Sequence, residues 1–296
     1  MNQRYDIEFE SSQFCPDKIM EIRHHLAADP LLSMDSLRRL ALRLPDAQVR
    51  FHAASATESS NFTTVEHDHP PHIGLEQALS AMEQAGSWIA LHNVQTDPEY
   101  AALLKRVLAG VKERINHLDP GMFYPAFWVF IQSPGAVTPY HMDHEQNFLM
   151  QIQGEKVGKV WPVKKSLPDA VVAAFHARNS REGAVYTPDL DAAAQVIKLK
   201  PGVGVYMPYT SPHAVMNGNN VSITISFTYC TRMTRRVETI HRCNYFLKKC
   251  RIKPGAIGTS PVREAIKYHV FNAIIIFKNI LKGRPVSLPY WSALSG

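Results

Sequence analysis

Ser222, Thr224, Ser226 and Thr228 alternate with Ile223, Ile225 and Phe227, so small polar and large apolar side chains take turns without a break. A period of two belongs to an extended strand, whose successive side chains leave opposite faces. One face of this strand needs a core, and the other carries four hydroxyls in a row. On a barrel strand, a polar inner face predicts a lined pocket in place of a filled interior.

The segment that holds this strand differs from what flanks it. From Asp119-Pro120-Gly121 to about Tyr229 the chain breaks into short β-branched and aromatic runs separated by turn residues. Residues 127–132 form one such run, residues 148–153 and 157–161 flank Gly154, and residues 203–207 follow Pro201-Gly202. Upstream, residues 16–44, 75–86 and 98–117 carry apolar residues at helical spacing, and residues 53–71 read as loop. Downstream, a helix is expected over residues 234–250, ended by Lys253-Pro254-Gly255. Ser260-Pro261 starts another as cap and first helical residue. Its stripe of Ile266, Val270, Ala273, Ile274 and Phe277 must be covered, by the barrel or by a second copy of the hairpin. The expected organisation is a mostly helical region at 1–118 packed on a barrel at 119–232, followed by a basic helical hairpin at 233–296.

Chemistry concentrates in Thr138-Pro139-Tyr140-His141-Met142-Asp143-His144-Glu145-Gln146-Asn147-Phe148. His141 and Asp143 are two apart, so an extended backbone sends both to one face. A second imidazole from Ser211-Pro212-His213, just before the alternating strand, would complete a set of two histidines and one carboxylate. On an octahedral ion that set leaves three positions open, the arrangement of non-haem Fe(II) oxygenases. A lone H-x-D is weak evidence in a chain with 14 histidines. The supporting residues strengthen it. Lys156, past the turn at Gly154 and on the adjacent strand, offers an ammonium to the far carboxylate of a metal-bound dicarboxylate. Thr138 adds a hydroxyl and Asn147 an amide.

The run TPYHMDHEQNFLMQIQGEK resembles the JmjC-type cupins, and among them the branch typified by the asparaginyl hydroxylase factor inhibiting hypoxia-inducible factor. There T-P-x-H-x-D-x-x-x-N-F is followed by Q-I-x-G-x-K at matching spacing. LKPGVGVYMPYTSPHAVMNGNNVSITISFTY resembles the same family's P-G-D-x-x-x-I-P…H segment. The likeness covers residues 127–229 and extends loosely into the C-terminal helices, which form a dimer interface in that relative; the first 115 or so residues carry none. It implies a mainly β fold with flanking α, built on a double-stranded β-helix (cupin or jelly-roll) barrel. It implies Fe(II) at His141, Asp143 and His213, 2-oxoglutarate held by Lys156, Thr138 and Asn147, and O2 as oxidant. The implied reaction hydroxylates a protein or peptide side chain while 2-oxoglutarate becomes succinate; demethylation starts from the same step at an N-methyl carbon. Two positions depart from the pattern. Gly204 stands where Asp is frequent, at an expected turn, with little consequence foreseen. Ser226 stands where the relative has Asn near the co-substrate; Ser is shorter, so that contact is water-mediated or lost.

Other residues have plainer readings. His144 leaves the face opposite Asp143 and reads as structural, and His67, His69 and His72 sit in a polar loop without ligand geometry. Trp128 and Trp161 read as barrel core, and Tyr124 and Tyr140 as lining of the pocket mouth. Cysteines 15, 230, 243 and 250 show no C-x-x-C pair and read as reduced thiols. The opening MNQRYDIEFE lacks an apolar leader core. The longest apolar stretch, residues 268–281, is short for a bilayer and interrupted by Asn272, Lys278 and Asn279. A soluble, cytoplasmic protein is expected. Its net charge of +6 is uneven: Arg232 to Arg284 holds 13 Lys and Arg against 2 acidic residues, so the remainder is net acidic. The basic hairpin suits an anionic partner such as a phospholipid surface or acidic peptide, or is a solvated helical face, and it carries no specific nucleic-acid signal. Three alternative functions fit the same residues: a small-molecule or lipid hydroxylase of the same chemistry, a non-catalytic cupin-like regulator acting through the hairpin, and a Zn-dependent cupin.

Overall fold

A computed structural model describes residues 6–283. Its strands are β1 (Ile7–Glu8), β2 (Met20–His24), β3 (Val49–Ala53), β4 (Ser87–Leu91), β5 (Phe123–Gln132), β6 (Val137–His141), β7 (Gln146–Gln153), β8 (Lys156–Val160), β9 (Gln195–Leu199), β10 (Val203–Met207), β11 (His213–Asn217) and β12 (Ser222–Cys230). They form two sheets, ordered β1-β2-β10-β7-β12-β5-β4-β3 and β6-β11-β8-β9. The pairs within them are antiparallel. From β5 onward the chain passes back and forth between the sheets. The eight strands β5 to β12 interleave as first-eighth-third-sixth in one sheet and second-seventh-fourth-fifth in the other. That is the double-stranded β-helix, a jelly roll.

The alternation along β12 explains how this barrel is dressed. Ile223, Ile225 and Phe227 are fully buried on the outside of the large sheet, with Phe127, Val129 and Ile131 of β5 and Phe148 and Met150 of β7. Leu103, Leu104, Val107 and Val111 of the Pro98–Ile115 helix cover them. Asp97 caps this helix by accepting from the Glu99 N–H at 3.0 Å. The opposite, polar face of β12 turns into the barrel. One part of the interior is filled by Leu149, Val160, Ile197, Leu199, Val205, Met207 and Val215; the rest is cavity.

The N-terminal region is less helical than its spacing suggests. Residues 16–44 read as helices, yet Met20–His24 is β2, which pairs with β10. Its burial alternates, with Ile22 and His24 inside and Glu21 and Arg23 outside. The three-residue step from Ile19 to Ile22 imitates a helix while a period of two operates. Only Met34–Ala41 in that stretch is α-helix. β3 and β4 extend the large sheet beyond β5, and the expected loop between them includes a short helical turn, Val65–Asp68.

Gly204 also differs from expectation. It lies inside β10, not in a turn, and a Cβ there would meet the Leu149 carbonyl oxygen at 2.6 Å and Met150 Cγ at 2.9 Å. Gly154 does make the turn between β7 and β8, at φ +73°, and a Cβ would run into the Val221 carbonyl.

After the barrel, Arg232–Lys249 is a helix opened by a reciprocal cap between Thr231 and Thr234. It packs on the Asp169–Arg178 helix. Pro261–Leu281 follows, with Ser260 accepting from the Arg263 N–H. This second helix packs against the first, and none of its described residues is buried. Val262, Ile266, Val270, Ile274, Phe277 and Leu281 are each more than half exposed. Residues 1–5 of the expected 1–118 region and 284–296 of the expected hairpin lie outside the described residues. Among the described residues, no helix is long and apolar enough to cross a membrane.

Candidate metal centre and co-substrate pocket

His141 ends β6 and His213 begins β11, and the two are direct partners in the antiparallel pairing. Their ring centroids are 4.1 Å apart. Between them and the next paired row the register shifts, with His213 opposite His141 but Val215 opposite Thr138. The extra residue in β6 falls at Pro139-Tyr140, where Pro has no N–H to lose and the Tyr140 N–H donates to the Glu58 carbonyl at 3.0 Å. This bulge lets Thr138 and His141, three apart, face the same cavity.

Asp143 joins them from the turn after β6, not from the strand. Its Oδ2 lies 3.7 Å from His141 Nε2 and 3.6 Å from His213 Nε2. The Nδ1–H of His141 donates to the Pro139 carbonyl at 2.8 Å, and that of His213 to the Ser211 carbonyl at 3.1 Å. A carbonyl only accepts, so both rings are fixed with Nδ1 protonated and the Nε2 lone pairs aimed at a common point. Burial, reinforced by the His213 ring, brings His141 down to about 3, which keeps it neutral. Burial alone would raise the Asp143 carboxyl, but His141, His213 and Arg181 together bring it to about 2. Two imidazoles and one carboxylate, with donor atoms within 4.8 Å of one another, are a set that suits a divalent cation.

Lys156 heads β8, as its spacing suggested, though β8 pairs with β11 and β9 in the opposite sheet from β7. Its side chain is buried and its ammonium donates to Gln132 Oε1 at 2.5 Å. The Gln132 amide N–H in turn donates to Thr138 Oγ1 at 3.1 Å, and the Trp88 indole N–H donates to the same oxygen at 2.9 Å. Thr138 thus accepts twice, and its own proton is left to give to the cavity. On the facing wall, Ser226 Oγ donates to Asn147 Oδ1 at 2.6 Å, which leaves the Asn147 amide N–H groups to donate elsewhere.

One cavity of about 190 Å³ is lined by Thr138, His141, Asp143, Asn147, Lys156, His213 and Ser226. All seven residues singled out from the sequence therefore meet. Thr224 and Thr228 line it too, as the alternation along β12 predicts. Sequence reasoning missed its other walls. Trp88 of β4 and Gln132 of β5 organise the polar end. Phe62, from the loop after β3, stacks on His141 with centroids 3.7 Å apart and planes 3° from parallel. Arg181 Nη2 approaches Asp143 Oδ1 at 3.5 Å.

The plain readings of Trp128, Tyr124 and Tyr140 need revision, and the others agree with the structure. Trp128 lines the cavity and stacks on His92 at 5.0 Å, whereas Trp161 is fully buried in core. Tyr140 packs on Trp161 and Tyr124 is exposed, so neither lines this cavity. His144 lines the wall, stacks on Phe175 at 3.9 Å and lies outside the ligand set. His69 contacts Ser55 and Ser60, and His67 contacts Asp68; no metal cluster forms there among the described residues. All four cysteines are free.

The two interleaved sheets and the flanking helices define a double-stranded β-helix, the cupin or jelly-roll fold. No protein-family model and no curated protein sequence matches the chain. Solved structures do. The X-ray structure of Escherichia coli YcfD superposes with a TM-score of 0.52 at 15% identity, over 90% of this chain and 66% of that one. A crystal structure of Escherichia coli ribosomal oxygenase YcfD gives 0.50 at 13% identity, over 93% and 68%. This chain thus spans about two thirds of the length of those structures, and at such identity the likeness is one of fold.

Proposed function

We propose that the chain is an Fe(II)- and 2-oxoglutarate-dependent dioxygenase that hydroxylates a protein or peptide side chain. One observation carries this reading: the convergent His141, Asp143 and His213 share a single cavity with the buried ammonium of Lys156. A metal site alone would also suit a Zn cupin, and a degenerate regulator has no need of both. The pairing of a cation site with a buried ammonium fits a small dicarboxylate that chelates the ion at one end.

In this reading His141, Asp143 and His213 hold the iron. Lys156 and Thr138 take the far carboxylate of 2-oxoglutarate, and Ser226 orients the Asn147 amide toward the same ligand. When bound, the iron would supply the oxidative chemistry, in which 2-oxoglutarate and O2 give succinate and CO2 while a substrate C–H becomes C–OH. The protein supplies position and dryness. The Nδ1–carbonyl bonds fix both imidazoles, Lys156 neutralises a carboxylate away from water, Phe62 covers the His141 ring, and Trp128 adds to the cavity wall. Support for a protein substrate comes from the motif likeness to asparaginyl hydroxylases such as factor inhibiting hypoxia-inducible factor. The description of YcfD as a ribosomal oxygenase points the same way. The free thiols suit a reducing cytoplasm. A second copy of the chain is the fitting cover for the exposed stripe of the Pro261–Leu281 helix.

Anaerobic addition of Fe(II) and then 2-oxoglutarate tests the assignment. A weak visible charge-transfer band and, on admitting air, succinate are expected, with both abolished in His141→Ala. Protein that holds iron but ignores 2-oxoglutarate defeats the proposal. Substrate class is read by mass spectrometry of an incubated proteome, as additions of one oxygen, about 16 Da.

A further inference from the structure

We propose that Arg181 is a positioning residue that keeps Asp143 a one-oxygen ligand and so preserves the open coordination positions; this rests on the oxygenase reading above. Asp143 presents its two oxygens to different neighbours. Oδ2 faces both imidazoles at 3.6 and 3.7 Å, while Oδ1 faces Arg181 Nη2 at 3.5 Å. Arg181 Nε also donates to the Met142 carbonyl at 3.1 Å. The guanidinium therefore grips both the side chain of Asp143 and the peptide just before it, which limits rotation of the carboxylate.

Arg181 is itself held. Its guanidinium carbon lies 5.2 Å from the Phe175 ring centre and 5.6 Å from that of Phe62. The approach is made by Asn179, which ends the Asp169–Arg178 helix in the left-handed conformation at φ 53° and turns the chain back over the site. Asn179 Oδ1 contacts His144 Nε2 at 3.2 Å, which ties this turn to the segment carrying Asp143. Among the described residues, the one ion pair of Arg181 is with Asp143.

The chemical consequence is a matter of counting positions. A carboxylate binds a cation through one oxygen or two. Two imidazoles and a two-oxygen carboxylate fill four of six octahedral positions, which is one too many for a chelating co-substrate and dioxygen together. A planar, permanently charged donor on Oδ1 opposes that second bond. Lys carries the charge and reaches one of the two acceptors; Met carries neither property.

The test compares wild type, Arg181→Lys and Arg181→Met by anaerobic calorimetry and absorption, adding Fe(II) and then 2-oxoglutarate. Iron affinity is expected to stay within about threefold, while 2-oxoglutarate affinity falls about tenfold or more in Arg181→Met, with the visible band shifted or lost. Arg181→Lys is expected to restore most of the affinity. A Met variant with wild-type affinity and band overturns the proposal, as does one that loses iron and 2-oxoglutarate together, the mark of a merely structural role. If the Met variant does not fold, Arg181→Gln, a donor without charge, carries the same expectation. A wild-type protein with no band defeats the oxygenase reading itself, so the two failures are separable.

Discussion

The ammonium of Lys156 lies 2.5 Å from the side-chain oxygen of Gln132, reaching from one sheet across to the other. No acidic side chain pairs with it among the described residues, and burial alone pulls its pKa down to about 7. A buried cation without a counter-charge weakens the fold, and the proposed 2-oxoglutarate carboxylate would supply that counter-charge.

Lys156→Met is therefore expected to raise thermal stability while removing 2-oxoglutarate binding. Between pH 7 and 10.5 the unfolded chain holds the proton that the folded chain has released, so wild-type stability rises with pH across that window. Below pH 7 the full burden of the charge is present, a few kcal/mol. Urea unfolding of both proteins at pH 6.5 and 9.5 measures this. A Met variant no more stable than wild type at pH 6.5 contradicts it.

The same residue predicts proton uptake. With the free ammonium near 7 and a carboxylate partner raising it, binding of 2-oxoglutarate at pH 8 should draw up to about one proton into the site. Affinity should weaken as pH rises above 7. Calorimetry in buffers of different ionisation enthalpy gives the proton count, and a count of zero rejects a role for this ammonium.

Thr138 holds two donors at once, from Trp88 and Gln132. Thr138→Val is expected to leave both buried N–H groups without an acceptor, costing about 2 kcal/mol of stability and weakening 2-oxoglutarate binding. Thr138→Ser keeps the oxygen and should stay close to wild type in both. Equal behaviour of the Val and Ser variants argues against the network.

Gly204 has no room for a side chain, with the Leu149 carbonyl 2.6 Å from where a Cβ would stand. Gly204→Ala is expected to cost about 2 to 3 kcal/mol because β7 and β10 must part to admit it. A variant within 0.5 kcal/mol of wild type, as is common for exposed positions, returns the site to the harmless turn suggested by sequence.

Covering the hairpin with a second copy predicts a dimer that Val270→Lys with Ile274→Lys converts to monomer, because both side chains lie on the exposed apolar stripe. Light scattering reads the mass, and succinate formation should survive the change. A monomeric wild type removes this part of the proposal.

What the sequence reveals here is what sits close along the chain. His141, Asp143, Asn147 and Lys156 fall within one short passage of three strands and two turns, so spacing and motif expose them together, and His213 follows from the approach to β12. Trp88, Phe62 and Arg181 reach the cavity, and Gln132 reaches Lys156 and Thr138 behind its wall, through topology instead. β4 must pair with β5, and the loop after β3 must fold back over β6, before Trp88 and Phe62 mean anything. The misreading of β2 has a similar origin. Its two-residue period spans only five positions, and a neighbouring apolar residue gives it a helical look. The bulge at Pro139-Tyr140 hides a further rule, since Thr138 and His141 share a face that strict alternation would deny them.

The pairing of His213 with His141 has a consequence for how the chain matures. Slip β11 by one residue along β6 and Ala214, not the imidazole, stands opposite His141, with every side chain of the strand turned to the other wall. A cation that needs both rings recognises one alignment of the barrel and ignores its neighbours. Because it binds that alignment alone, it draws the population toward it by mass action. On the proposed reading, iron supply and folding fidelity would be linked, the ion selecting the register of the barrel before it served as a reagent.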